Sequence, residues 1–169
     1  MRRLYLLRHG KSSWDDPGLA DRDRPLAPRG ERAMAAISEH LRGEGIAPEL
    51  VLCSPARRTR ETLARVEAVL GQGVEVRIED EIYGASETGL LELLRRLDAA
   101  NRSVMLIGHN PSIHRLALTL AGSGARLGDV GRKFPTAALA TLEIDSEWRD
   151  LEPGGAVLSA FVRPKELAG

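Results

Sequence analysis

The chain has 169 residues and no formal net charge, because 24 Lys and Arg side chains balance 24 Asp and Glu. This length suits one domain, so we expect a single domain over residues 1–169. The 43% hydrophobic content is that of a folded protein, and the balanced charge argues against a nucleic-acid partner. One cysteine, Cys53, excludes an intramolecular disulfide and a multi-cysteine zinc site.

Membrane insertion is not expected, because no apolar stretch approaches the roughly 20 residues of a membrane span. The apolar run at the start of the chain, Leu4–Leu7, ends at Arg8 and is too short for a signal peptide. We therefore expect a reduced, cytoplasmic protein with no membrane partner.

Apolar runs without polar alternation predict three parallel strands that are covered on both faces. These runs are Leu4–Leu7, Leu50–Cys53 and Val104–Ile107. Weaker strand patterns occur near residues 75–78, 138–144 and 157–163, the last two around a hairpin at Pro153-Gly154-Gly155. The glycine-rich segment 122–135 predicts a loop.

Apolar residues at helical spacing predict four helices between these strands. The first covers 28–42, and a later one covers 89–98. Ser54-Pro55 and Asn110-Pro111 each resemble an N-cap followed by proline at the first helical position, and each precedes an apolar stripe. The alternation of strands and helices predicts a three-layer α/β/α domain with a mostly parallel central sheet.

Polar residues follow the three strongest strands, where ligands bind in folds of this kind. Arg8 and His9 follow the first strand, Ser54 and Arg58 the second, and His109 the third. If these strands are parallel neighbours, two histidines and at least two arginines converge beside two helix N-termini. Such a pocket suits an anion, most naturally phosphate.

Several phosphate chemistries do not fit the sequence. A P-loop fails because Tyr5 stands where its first glycine is needed, and Cys53 lacks the arginine spacing of a cysteine phosphatase. No HExxH motif occurs, and His109 and His114 are five residues apart, so we expect no metal and no cofactor. A neutral histidine that attacks phosphorus remains, with arginines stabilising the phosphoryl oxygens.

Three motifs in order resemble those of the histidine phosphatase superfamily, which includes the phosphoglycerate mutases. They are Arg8-His9-Gly10, the S-x-x-x-R-x-x-x-T element over residues 54–62, and Gly108-His109-Asn110-Pro111. The stretch 8–14, together with Asp23-Arg24-Pro25-Leu26, most resembles the SixA-type phosphohistidine phosphatases. The resemblance implies a phosphoglycerate mutase-like fold and metal-independent catalysis.

By this resemblance His9 is the phospho-acceptor, and Arg8, Arg58 and His109 hold the phosphoryl group. Lys11 and Ser12 are further candidates for phosphate binding. The chain departs from the larger mutase-like relatives because it lacks their Trp-Glu pair. Glu81 or Glu87 is then a candidate general acid, with Glu81 the residue we put forward.

The expected function is hydrolysis of phosphohistidine on a protein, such as the phosphotransfer domain of a signalling relay. An alkoxide leaving group needs a positioned acid, whereas imidazole, with an ordinary pKa of about 6.5, leaves more readily. Two alternatives remain open at this point: a phosphatase of small phosphate esters, and a non-catalytic domain that binds phosphate or phosphoprotein.

Overall fold

Seven strands form one sheet in the computed structural model, which describes residues 1–167. All six predicted strands are confirmed, and the ends of four of them differ from the prediction by one or two residues. The strands are β1 (Arg2–Arg8), β2 (Leu50–Cys53), β3 (Glu75–Ile78), β4 (Ser103–Gly108), β5 (Ala121–Ser123), β6 (Leu139–Ile144) and β7 (Ala156–Val162).

Six α-helices surround the sheet within residues 1–167, and three single turns of 3-10 helix lie in the connections. None of these helices is long and apolar enough to cross a membrane. The helices are α1 (Pro28–Gly43), α2 (Arg57–Glu67), α3 (Glu87–Arg95), α4 (Ser112–Leu120), α5 (Leu127–Arg132) and α6 (Pro164–Leu167).

The strand order across the sheet is β3-β2-β4-β1-β6-β7-β5. Only β6 is antiparallel to its neighbours, β1 and β7. The central trio β2, β4 and β1 is parallel, so the three strands end at the same edge of the sheet. Because β6 runs the other way, it begins at this edge, where β7 ends. The predicted, mostly parallel α/β sheet is confirmed.

The sheet has a hydrophobic core on each face. Successive residues of β1 point to opposite faces, as in any strand. Leu4 and Leu6 pack in one core with α3 and α4, whereas Tyr5 and Leu7 pack in the other with α1 and α2. A fully buried leucine contributes about 1.5–3 kcal/mol through the hydrophobic effect, so burial on both faces fixes the central strands firmly.

The loop predicted over residues 122–135 is wrong, because this segment completes β5 and contains α5. Glycines at 128 and 131 weaken the intrinsic helical propensity of α5. Packing compensates: Val130 is fully buried in the core that contains α4. Helices of this length gain most of their stability from such tertiary contacts, which a local pattern does not reveal.

Both predicted N-caps are also wrong. Helix α2 begins at Arg57 rather than directly after Ser54, and α4 begins at Ser112 rather than directly after Asn110. Neither helix has a side-chain cap, and both prolines precede the helix. The Ser54 hydroxyl binds the ring of His109 and accepts at 3.4 Å from the backbone N–H of Ala56, which precedes the helix, and the Asn110 side chain donates to the carbonyl oxygen of Phe134. Both side chains form hydrogen bonds within the candidate site at the edge of the sheet.

Candidate active site

Two histidines and two arginines meet at the edge of the sheet where β1, β2 and β4 end. The ring centroids of His9 and His109 are 5.3 Å apart. The backbone N–H of His9 donates to the carbonyl of Gly108 at 3.2 Å, which ties the ends of β1 and β4 together. Arg8 ends β1, and Arg58 projects from the first turn of α2. The positive charges of both arginines lower the pKa values of both histidines.

The ring of His9 is held in a single tautomer. Its Nδ1 lies 2.6 Å from the carbonyl oxygen of Gly10. Because a carbonyl only accepts, Nδ1 carries the proton and donates it, and the lone pair is left on Nε2. Burial, together with the neighbouring His109, Arg58 and Arg8, lowers the pKa of His9 to about 3, although the Gly10 hydrogen bond opposes the shift. The imidazole is therefore neutral at pH 7.

Close packing around Gly10 fixes the position of His9. The backbone N–H of Gly10 donates to the hydroxyl of Thr62 at 3.0 Å, and that hydroxyl donates to the carbonyl of Arg58. A Cβ at Gly10 would lie 3.1 Å from the carbonyl oxygen of Gly30. Gly10 and Thr62 therefore have structural roles in the two motifs that also contain His9 and Arg58.

His109 is positioned from two sides. Its Nε2 forms a 2.8 Å hydrogen bond with the Ser54 hydroxyl, and its ring meets the ring of Tyr83 edge to face at 5.7 Å. Burial, together with the charge of Arg58, lowers the pKa of His109 to about 4. This ring is therefore also neutral at pH 7, so it can donate a hydrogen bond but carries no positive charge.

Three nitrogens of this cluster are buried without a hydrogen-bond partner among residues 1–167: Nε of Arg8, Nε of Arg58 and Nδ1 of His109. Buried polar groups are normally paired, so a set of unpaired ones in a single site is chemically informative. Arg8 is otherwise held through Nη1, which donates to the carbonyl of Phe134 at 3.0 Å. A tetrahedral oxyanion, with several acceptor oxygens, suits a cluster of arginine donors.

Asp21 and Tyr83 join the site and were not singled out from the sequence. One carboxylate oxygen of Asp21 accepts from Nη2 of Arg58 at 3.0 Å and from the Tyr83 hydroxyl at 2.6 Å. The other accepts from Arg24. The Tyr83 bond, then that of Arg58, lowers the pKa of Asp21 to about 2. In the sequence, Asp21 lies two residues before the Asp23-Arg24-Pro25-Leu26 stretch. No local pattern distinguishes its carboxylate from the other acidic side chains nearby.

Three other candidates have different surroundings. The Ser12 hydroxyl accepts from Arg24 at 2.7 Å, and Lys11 is exposed on a neighbouring cavity. Glu81 is exposed and accepts a hydrogen bond from Arg96. Within residues 1–167, no hydrogen bond joins these three side chains to the two histidines. The carboxylate that does contact the cluster is Asp21.

The remaining histidines and the arginines beside Arg58 lie elsewhere. His114 contacts the Val130 carbonyl, and His40 borders a small cavity beside β1. The exposed helix-face arginines of α2 bind Glu61, the Pro55 carbonyl and Glu31; they are Arg57, Arg60 and Arg65. As expected, Cys53 is a buried strand residue, and burial raises the pKa of its thiol to about 12.

The arrangement has the parts that a nucleophile and an oxyanion cradle require. His9 offers a neutral nitrogen lone pair, and Arg8, Arg58 and His109 offer donors around it. Phosphoryl transfer needs chiefly positioning and electrostatic stabilisation, and this set supplies both. In the part of the chain that the structure describes, no group of three or more His, Cys, Asp or Glu side chains could hold a metal ion. Fold and site together define a phosphatase of the histidine class.

Comparison with known proteins gives the family. The chain belongs to the histidine phosphatase superfamily, whose branch 1 model matches residues 4–86. An uncharacterized protein of Mycobacterium tuberculosis H37Rv is 37% identical over 94% of this chain and all of its own length. Phosphohistidine phosphatase SixA of Escherichia coli K12 is 26% identical over 85% of this chain and 86% of its own.

A solved structure of a protein assigned as phosphohistidine phosphatase SixA, from Nakamurella multipartitia, has the same fold along nearly the whole chain. Its TM-score is 0.83 at 32% identity, with 96% of each chain covered. The phosphoglycerate mutase-like expectation for the fold is therefore confirmed, and so is the assignment of this chain as a phosphatase.

Proposed function

We propose that this phosphatase hydrolyses phosphohistidine on another protein through a covalent phosphohistidine intermediate at His9, without a metal ion. One observation carries the proposal. The Gly10 carbonyl holds the proton of His9 on Nδ1, which leaves an unprotonated Nε2 beside two arginines and a second histidine.

In the first step, Nε2 of His9 forms a bond to phosphorus while the bond from phosphorus to the substrate imidazole breaks. The substrate ring carries a proton from solvent on its other nitrogen, so the electron pair of that P–N bond stays with a neutral departing imidazole. Arg8 and Arg58 bind the phosphoryl oxygens, and His109 donates a hydrogen bond to them. Donors that are fixed in place before the reaction stabilise the developing charge at little reorganisation cost.

In the second step, water forms a bond to phosphorus and the bond from phosphorus to Nε2 of His9 breaks. The electron pair returns to Nε2, one water proton is released, and inorganic phosphate leaves. The same three side chains hold the oxygens throughout. The neutral state of His9 at pH 7 is restored because burial disfavours its cationic form.

Neither Asp21 nor Glu81 suits the role of general acid, and this favours a P–N over a P–O substrate. Asp21 is the carboxylate nearest the cluster, and its pKa of about 2 keeps it ionised at neutral pH. Glu81 is bound to Arg96. An alkyl ester would have to expel an alkoxide without a proton donor, whereas imidazole is the base of an acid with a pKa of about 6.5. The SixA names of two relatives support the same substrate class.

We propose that the partner protein is a histidine-containing phosphotransfer domain. We also propose that this phosphatase is located in the cytoplasm. A phosphohistidine carried by another protein has to reach His9 from outside, which suits a site at the edge of a sheet. The only cysteine of the chain is buried and reduced, which agrees with a reducing compartment.

A comparison of substrates tests the proposal. The wild type would be incubated, in the presence of a chelator, with a chemically phosphorylated phosphotransfer domain and with an alkyl phosphate. We expect turnover of the phosphohistidine protein, loss of turnover in His9→Ala, and retention in the matched control His40→Ala. Radiolabelled phosphoryl trapped as an acid-labile adduct would map to His9. Preference for the alkyl ester, or activity in His9→Ala, would contradict the proposal.

A further inference from the structure

A cavity of about 580 Å³ lies beside the active site and is lined by six basic side chains. Arg8 is shared between this cavity and the catalytic cluster. The other lining residues are Ala33, Pro135, Thr136 and Pro164, and none is acidic or aromatic. The cations are Arg8, Lys11, Arg29, Lys133, Arg163 and Lys165.

The sheet topology gathers these cations from distant parts of the chain. Arg8 and Lys11 follow the end of β1, and Arg29 lies in the first turn of α1. Lys133 precedes β6, which begins at the same edge because it runs antiparallel to β1. Lys165 follows β7, which ends there. No stretch of the sequence is basic enough to mark this concentration of charge.

Few carboxylates neutralise the cavity. Arg163 pairs with Glu166 at 3.0 Å, and Glu166 also binds Arg126. Within residues 1–167, no ion pair involves Lys11, Arg29, Lys133 or Lys165. In a chain without net charge, this is a strong local excess. Like charges gathered in a concave surface raise the local concentration of an oppositely charged ligand.

We propose that this basic cavity binds an acidic segment of the phosphoprotein substrate, next to the phosphohistidine held at His9. The proposal rests on the proposed phosphohistidine activity and adds the feature by which the enzyme selects its partner. Arg8 joins the two regions, since it lines the cavity and also belongs to the phosphate cluster.

The lining favours an acidic protein segment over a small polyphosphorylated molecule. Sites for small molecules are mostly apolar and aromatic, with a few fixed polar groups. Here Lys11, Arg29, Lys133 and Lys165 are exposed, and Thr136 supplies the one neutral side-chain hydroxyl of the lining. Exposed cationic side chains attract negative charge without requiring one shape, and they steer association of charged protein surfaces.

A pair of synthetic peptides tests the inference. Both contain one phosphohistidine; the first has glutamates on either side of it, and the second has glutamines at the same positions. We expect kcat/KM to be about 10- to 100-fold higher for the glutamate peptide at low ionic strength, the range that electrostatic steering gives. Salt should narrow the difference, because it screens exposed charges.

Charge-reversal variants test whether the preference for the glutamate peptide depends on the cavity. Lys133→Glu/Lys165→Glu should lose most of the preference and still hydrolyse p-nitrophenyl phosphate, which has no carboxylate for the cavity to bind. Arg42→Glu/Arg102→Glu makes the same change in net charge at the opposite edge of the sheet and should keep the preference. Equal kcat/KM for the two peptides, or a preference that survives the cavity reversal, would overturn the inference.

A binding measurement separates failure of this inference from failure of the proposed function. A fluorescently labelled polyglutamate peptide should bind the wild type and the Arg42/Arg102 variant more tightly than the Lys133/Lys165 variant. If neither phosphohistidine peptide is hydrolysed and this binding pattern holds, the proposed substrate is wrong and the acidic-segment site stands. If polyglutamate binds all three proteins equally, the cavity assignment is wrong.

Discussion

Asp21 binds Arg58 twice, through its carboxylate to Nη2 at 3.0 Å and through its backbone carbonyl to Nη1 at 2.8 Å. The residues are 37 positions apart in the chain. The loop that carries Asp21 therefore sets the orientation of the guanidinium group, while Nε of Arg58 stays buried and unpaired. Asp21 is a positioning residue for Arg58, and the planar guanidinium is what allows the two bonds to form together.

Arg58→Lys should lower kcat/KM by about 10²- to 10³-fold, the usual loss when one donor to a developing oxyanion is removed. Lysine keeps the charge but has no planar fork to match both Asp21 and a phosphoryl oxygen. The matched control is Arg57→Lys, since Arg57 is exposed and bound to Glu61 on the same helix. Steady-state kinetics should show the control close to wild type; a comparable loss in both variants would contradict the assignment.

Ser54→Ala should reduce turnover and stability together. The substitution removes the partner of Nε2 of His109 and leaves that nitrogen unpaired in a partly buried site, at a cost of about 1–3 kcal/mol. Urea unfolding measures the stability, and ring ¹⁵N chemical shifts report the tautomer of His109. We expect the tautomer equilibrium of His109 to change while the shifts of His114 remain as in the wild type. Unchanged His109 shifts would argue against the role of Ser54.

The free energy of unfolding should fall as pH falls from about 6.5 towards 4. Burial lowers the pKa of His9 to about 3 and that of His109 to about 4, so both rings stay neutral in the folded protein. In the unfolded chain they bind protons near pH 6.5, and the unfolded state therefore takes up more protons in this range. The expected loss is about 1.4 kcal/mol per pH unit for each ring, and above pH 6.5 there is no loss, because both rings are then neutral in the folded and the unfolded state.

Urea unfolding of the wild type and His9→Gln at pH 7 and pH 5 tests this dependence. Glutamine does not titrate, so the variant should lose less stability between the two pH values than the wild type. Equal losses would show that His9 is protonated to the same extent in the folded and unfolded states. In that case the proposal that His9 acts as a neutral nucleophile would lose its support.

Gly30→Ala should destabilise the protein and disturb the site, although alanine is the better helix former. A Cβ at Gly30 would collide with the backbone oxygen of Lys11 and lie 2.8 Å from its nitrogen, two residues after His9. Gly43→Ala, in the same helix, meets nothing within 4 Å and should be neutral or stabilising by up to about 1 kcal/mol. Thermal unfolding and kinetics of both variants measure the difference; a stabilised Gly30→Ala would disprove the close contact.

The sequence by itself determined the central strands and the chemical class. Uninterrupted apolar runs such as Leu4–Leu7 are buried on both faces, and that burial dominates their local preference. Parallel strands that end at one edge bring together the residues that follow them, so the proximity of His9 and His109 follows from topology. Motifs with fixed internal spacing then indicated the family.

Only the tertiary structure decided how the site is held together. Asp21 lies in a polar connection without periodicity, and its bonds to Arg58 and Tyr83 span 37 and 62 positions. Such contacts form because the fold brings separate connections together, and no local spacing encodes them. The caps expected at Ser54 and Asn110 failed for the same reason. A polar side chain binds the partner that the folded chain brings close to it. For Ser54 that partner is the ring of His109, and for Asn110 it is the carbonyl of Phe134.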